Sequence, residues 1–326
     1  MTDKPTNADE FPGAALSLLC IGLDVAWFGG SAGNPDSQYD CVAAAHLSSG
    51  SAETPRMHCE FSRISLIDRD PQAAQLLQAL TDLLQQHRTA TRIILAVDAP
   101  LQVIPRPHLA ARSAIPATGT VERRACENHF SRQRQRIDQN AGGSRGWHPN
   151  LQPGAPLAPR VMHLLAGLQQ HGFSVWTPDH HQDSRLVCEC FPAEAIWAMK
   201  RLDRYAAHLT ATQVKAYKKQ QGKSLAAEDI THLVHTALDA FATDTGIPSK
   251  WYALVQRALD WLQADPTWQT FDGYYRGGKL LDDVVDSLLC LATALSYAHG
   301  QAHVWQDEQQ PDDGHIIGPG LLPKNT

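Results

Sequence analysis

Thr91-Arg92-Ile93-Ile94-Leu95-Ala96-Val97-Asp98-Ala99-Pro100 is the stretch on which the reading of the fold turns. Ile93 to Val97 is an unbroken apolar run, rich in branched side chains and too short for a helix. It is the strongest strand signal in the chain. Asp98-Ala99-Pro100 stops it, because the residue before a proline disfavours helix and Asp opens turns readily. A carboxylate therefore stands at the end of a buried strand.

Upstream, Pro71 to His87 has helical spacing, with Leu76, Leu77, Leu80, Leu83 and Leu84 on one face. Asp70 is placed to cap it, with Pro71 in the first turn. Before it come three strand-like runs, Ala15 to Leu23, Tyr39 to Leu47 and Arg56 to Ile64. The first ends at Asp24. Gly29-Gly30-Ser31-Ala32-Gly33-Asn34-Pro35 is turn material between the first two. The three runs make a meander.

Downstream, residues 102–120 and 139–159 read as loops, separated by an Arg-rich helix over Val121 to Ile137. Pro159 to His171 is a helix that ends at Gly172. Phe173 to Trp176 and Arg185 to Cys190 are further strands. Ala193 to Gln221, Ala226 to Ala242 and Lys250 to Ala264 are three helices in a row, so 193–275 reads as a helical insertion. Leu280 to Ala298 is the last long helix, and Pro311-Asp312-Asp313-Gly314 marks a hairpin-like turn. The expected division is a polar tail over 1–13, a core over 14–192, the insertion over 193–275, and the rest of the core over 276–326. Without the insertion the order is β-β-β-α-β-α-β-α. That order predicts an α/β protein: a mixed sheet with flanking helices, arranged as in the ribonuclease H-like fold.

Composition narrows the function classes. The chain has 326 residues, 43% hydrophobic and 19% charged, as expected of a globular protein with a sizeable core. A net charge of -6 argues against a generally basic protein that coats nucleic acid. Seven Cys without a C-x-x-C pair suggest buried thiols in a reducing compartment. No run of eighteen apolar residues predicts a membrane helix. The start, Met-Thr-Asp-Lys with Asp9 and Glu10 before any apolar stretch, lacks the signs of a signal peptide. The expected location is cytoplasmic.

The carboxylates carry the chemical argument. Asp24 and Asp98 end strands that are neighbours in this topology, so both belong at one sheet edge. Each alone could be a turn residue. Asp282, Asp283 and Asp286 fall within an arc of about 100° on the last helix, opposite Leu281, Val284, Val285, Leu288, Leu291, Ala292 and Leu295. Acids suit a helix N-terminus, but three in five residues repel, and a cation removes that conflict. Glu189 alternates with Cys188 and Cys190, so the thiols share one face and Glu189 takes the other. The thiols read as core residues.

Other features weigh less. Arg123, Arg124, Arg132, Arg134, Arg136 and Arg145 make 121–146 locally basic, able to hold phosphates or simply to face water. His299 and His303 have i, i+4 spacing but no H-E-x-x-H. His180-His181 beside Asp179 and Asp183 reads as loop surface. No P-loop and no Gly-x-Ser-x-Gly is present.

Ile21-Gly22-Leu23-Asp24, Val97-Asp98-Ala99-Pro100-Leu101, Arg124-Ala125-Cys126-Glu127, Glu189-Cys190-Phe191-Pro192 and Asp283-Val284-Val285-Asp286-Ser287-Leu288 together resemble the family of predicted nucleases with an RNase H-like fold, domain of unknown function 429. The resemblance covers most of the chain, in the same order. It implies an acidic site of Asp24, Asp98, Glu189, Asp283 and Asp286, with Arg124 and Glu127 nearby. Two departures stand out: Val25-Ala26-Trp27 follows Asp24 in place of a Gly-rich turn, and Ser287 follows Asp286 where Ala is usual.

The function expected from these readings is metal-dependent hydrolysis of phosphodiesters in nucleic acid. Mg²⁺ or Mn²⁺ would bind Asp24, Asp98, Asp283 and Asp286 in a two-metal site, with Glu189 ligating or orienting water and Arg124 steadying phosphate. Two rivals remain. One is a non-catalytic module that binds metal or nucleic acid. The other is an ATP-using phosphotransferase of the actin-like superfamily, which would need two phosphate-binding turns and a duplicated core.

Overall fold

A computed structural model describes residues 17–25, 39–48, 56–65, 73–101, 157–192, 274–298, 302–309 and 314–319, with Cys126 and His129. The tail expected over 1–13 and the insertion expected over 193–275, apart from its last two residues, lie outside the described residues.

The fold is mixed α/β. Its strands are β1 (Ser17–Asp24), β2 (Tyr39–Ser48), β3 (Arg56–Ser65), β4 (Arg92–Asp98), β5 (Ser174–Val175) and β6 (Arg185–Glu189). They form one sheet in the order β3-β2-β1-β4-β6-β5. β3, β2 and β1 pair antiparallel as the predicted meander, whereas β1, β4, β6 and β5 run parallel. The helices are α1 (Ala74–Gln86), α2 (Leu157–Gln170) and α3 (Tyr274–Ala298). A second, two-stranded antiparallel sheet joins β7 (Ala302–Trp305) to β8 (Ile316–Pro319). It abuts the large sheet through a parallel bridge from Cys190 to Ile317.

Alternation along the central strands divides the core in two. Leu19, Ile21 and Leu23 of β1, Val42 and Ala44 of β2, Ile93, Leu95 and Val97 of β4 and Val187 of β6 join one apolar cluster. Leu76, Leu80, Leu83 and Leu84 of α1 and Val161, Leu164 and Leu168 of α2 complete it. The two helices touch each other, with Leu77 against Gly167. The other face carries Cys20, Gly22, Ala43, Ala45, Ile94, Ala96 and Cys188, and α3 packs against β1, β4 and β2.

The start of α1 differs from expectation. α1 begins at Ala74, not Pro71; Ala73 precedes it in a left-handed conformation, and no side chain caps the helix. α2 closes as expected at Gly172, whose φ is +80°. Gly172 N–H donates to Gln169 and Phe173 N–H to Leu168, which satisfies the last carbonyls in a Schellman motif. No helix among the described residues is long and apolar enough to cross a membrane.

Candidate metal centre

The register of β1 on β4 sets Asp24 directly beside Asp98. Alternation turns both toward the face that α3 covers, since Leu23 and Val97 point to the other. α3 supplies the third acid, Asp286. One oxygen from each of the three carboxylates lies within 4.8 Å of the others. All three side chains are buried, with 5%, 4% and 3% of their surface exposed.

What lets α3 come so close is a row of small residues across the sheet. Ala43, Gly22, Ala96 and Cys188 stand side by side on β2, β1, β4 and β6. At the centre of that row the helix backbone rests on the strand. A Cβ on Gly22 would lie 2.1 Å from both Ser287 O and Leu291 N, which no side-chain movement could relieve. Asp24 is two residues beyond Gly22, about 7 Å along the strand. Asp286 directly precedes Ser287. Helix–strand contact at Gly22 thus carries Asp286 to the level of the two strand acids.

The donor set is hard oxygen, the class that Mg²⁺, Mn²⁺ and Ca²⁺ prefer over sulfur or imidazole. Three carboxylates this close in a buried site repel strongly when ionised, and each loses hydration. A divalent cation offsets both costs, so the residues present fit such an ion. Among the described residues this is the one group of three or more His, Cys, Asp or Glu placed to share a metal.

The remaining residues named from the sequence are not all among the described residues. Glu189 is opposite Val97 in register and so begins on the α1–α2 side of the sheet. It is buried and outside the three-acid group. Its Oε2 accepts a hydrogen bond of 3.0 Å from Leu101 N–H, just past the end of β4. Arg124 and Glu127 lie outside the described residues. Asp282 and Asp283 belong to α3 by backbone, and their side chains also lie outside the described residues. His303 does not continue the last helix: α3 ends at Ala298, and His303 sits on β7 with its ring edge-on to Trp305 at 4.3 Å. His299 lies outside the described residues. His180, in its loop, contacts Asp183 at 3.1 Å.

Sequence reasoning missed two features. The first is Gly22, hidden inside an apolar run. The second is Asp40, which pairs with Arg160 of α2 on the aliphatic side of the sheet; both residues are fully buried. The guanidinium donates from both terminal nitrogens, at 2.6 Å for Nη1 to Oδ1. Arg160 within the apolar stretch Leu157–Leu165 was the available signal. The thiols, by contrast, were read correctly, and Cys20, Cys188 and Cys190 are buried on the α3 side. Burial pushes the Cys20, Cys188 and Cys190 thiols well up, so they stay neutral and act as core residues, as expected of them.

A model of the family described as "Protein of unknown function (DUF429)" matches residues 36–310. No curated protein matches the chain, and no solved structure does.

Proposed function

We propose that this chain, which belongs to the DUF429 family, is a metal-dependent nuclease that hydrolyses phosphodiester bonds. The observation that carries the reading is the convergence of Asp24, Asp98 and Asp286 from two adjacent parallel strands and one helix. A meander followed by parallel strands, with acids at the ends of the first and fourth, is also the arrangement read from sequence as ribonuclease H-like.

Asp24, Asp98 and Asp286 would hold Mg²⁺ or Mn²⁺, which supplies an activated water and charge stabilisation for the leaving oxygen. Asp283, three residues before Asp286, is about 60° away on the helix and is our choice for a fourth ligand over Asp282. Glu189 holds the Leu101 amide and so fixes the turn that leaves β4 beside Asp98. In this reading Arg124 steadies the substrate phosphate, with Glu127 near it on the substrate side. The 193–275 segment directly precedes α3 and would shape substrate access.

The test is cleavage of a panel of single-stranded, duplex and branched DNA and RNA with Mg²⁺ or Mn²⁺, beside Asp24→Asn. Metal-dependent cleavage that Asp24→Asn abolishes supports the reading. Cleavage that survives both chelation and the substitution refutes it.

The low exposure of all three acids favours a second reading, an ion held for stability alone. A large Mg²⁺-dependent rise in melting temperature with no cleavage of any substrate would select it.

A further inference from the structure

Cys190 and Cys290 are 100 positions apart in sequence, yet the Cys190 thiol donates to the Cys290 sulfur at 3.2 Å. Neither belongs to the three-acid group. Cys190 directly follows β6, and its N–H donates to Val97 O at 2.9 Å, so its backbone is held to β4. Cys290 lies one turn beyond Asp286 on α3. The two sulfurs therefore join the sheet to the helix that carries the third acid. The pair spans 100 positions of sequence, so a bond between them would close a long loop.

We infer that Cys190 and Cys290 are a redox pair that closes to a disulfide and fastens α3 to the end of β6. The sulfurs need to approach by about 1 Å to reach bonding distance. The oxidant is a hydroperoxide. One thiol attacks the O–O bond, becomes a sulfenic acid and releases an alcohol. The second thiol attacks that sulfur and releases water. Two thiols and one hydroperoxide thus give one disulfide, one alcohol and one water, with two electrons passing from sulfur to oxygen.

Two features set the rate. Burial leaves 3% of Cys190 and none of Cys290 exposed. Burial and the neighbouring thiols also hold the Cys190 thiol in its protonated form. Oxidation therefore waits for α3 to lift from the sheet, and anything that seats α3 more firmly slows it. This inference stands apart from the nuclease reading, because its measurements are thiol chemistry and melting temperature.

The experiment treats the full chain with tert-butyl hydroperoxide, alkylates the remaining thiols, digests without reduction and maps linked peptides by mass spectrometry. The expected product links the peptides holding Cys190 and Cys290 and disappears with dithiothreitol. The linked protein should melt at least about 3 °C higher, since the bond closes a long loop. Cys190→Ser and Cys290→Ser should each abolish both the link and the rise. The wild-type peptide map decides by itself if a variant does not fold. Sulfinic acid at either position without a link, a link between other cysteines, or two thiols unreacted until the protein unfolds would each overturn the inference.

Discussion

On one side of the sheet Leu19, Ile21, Leu23, Ile93, Leu95 and Val97 meet α1 and α2; on the other Cys20, Gly22, Ala43, Ala96 and Cys188 meet α3. The same strands supply both sets by alternation. Large branched side chains hold a helix away from the sheet and stabilise by the apolar area they remove from water. Small side chains bury less area, but they admit the helix backbone itself. Only close approach of that kind could bring a helix carboxylate within 4.8 Å of two strand carboxylates. The aliphatic side serves stability, and the small-residue side trades part of it for a site. Each side also buries charge differently. Asp40 pairs with Arg160 on one side, and Asp24, Asp98 and Asp286 converge on the other.

The largest effect should come from the aliphatic side. Arg160→Ala leaves Asp40 buried without its guanidinium and should cost about 3–5 kcal/mol in urea unfolding. The double replacement Arg160→Met with Asp40→Leu should recover most of that loss, because the pair sits among apolar neighbours. If the double variant were no better than the single one, the pair would be doing more than filling a core.

Next is Gly22→Ala. One methyl group added between β1 and α3 should destabilise by about 3 kcal/mol, far beyond an ordinary helix or strand preference, because backbone atoms block it on both sides. It should also weaken Mg²⁺ binding by displacing Asp286 from Asp24 and Asp98. Leu95→Val, one residue before Ala96 but facing α1 and α2, should cost about 1 kcal/mol and leave metal affinity alone. Equal losses of affinity in the two variants would erase the distinction between the sides.

A somewhat smaller effect concerns the acids themselves. Mg²⁺ at about a hundred times its dissociation constant should raise stability by about 2.7 kcal/mol. Asp24→Asn, Asp98→Asn or Asp286→Asn should each remove most of that gain. Without metal each variant should be as stable as the parent or more so, since repulsion is relieved. Calorimetry with and without Mg²⁺ reads both at once.

The effect that vanishes near neutral pH is in the thiols. The folded thiols of Cys20 and Cys188 have their pKa raised, chiefly by burial, so they bind protons more tightly folded than unfolded. Their contribution is complete below the unfolded thiol value of about 8.5 and fades as pH climbs above it, because the unfolded chain then gains by ionising. The slope is about 1.4 kcal/mol per pH unit for each thiol. Melting temperature should hold between pH 7 and 8 and fall above pH 8.5, less steeply in Cys20→Ala. A flat profile to pH 10 would mean that these thiols are not buried as described.

Much of this arrangement was open to reading from sequence. Ile93 to Val97 and Leu18 to Leu23 are apolar runs that only buried strands accommodate, and each ends on an Asp. The leucines of 76–84 repeat at helical spacing, so α1 was legible, although its first residues were not. The meander followed from three consecutive strand runs with loops between them. Spacing alone left Asp286 as one of three helix acids, since angle does not say which of them the helix turns inward, and the motif resemblance narrowed them to Asp283 and Asp286.

The sequence by itself determined the order of elements, the ends on which Asp24 and Asp98 stand, and membership of the α/β class. Those properties are local: they depend on the period of apolar residues and on where turns interrupt it. Tertiary structure alone decided that Asp286 joins the strand acids, that Glu189 starts on the opposite side, that Arg160 reaches Asp40, and that Cys190 meets Cys290. Three of these depend on how closely and at what angle a helix packs on the sheet; the side taken by Glu189 depends on the register of β6 on β4. The absence of a side chain at Gly22 sets that distance for α3, and no periodicity in the sequence records it.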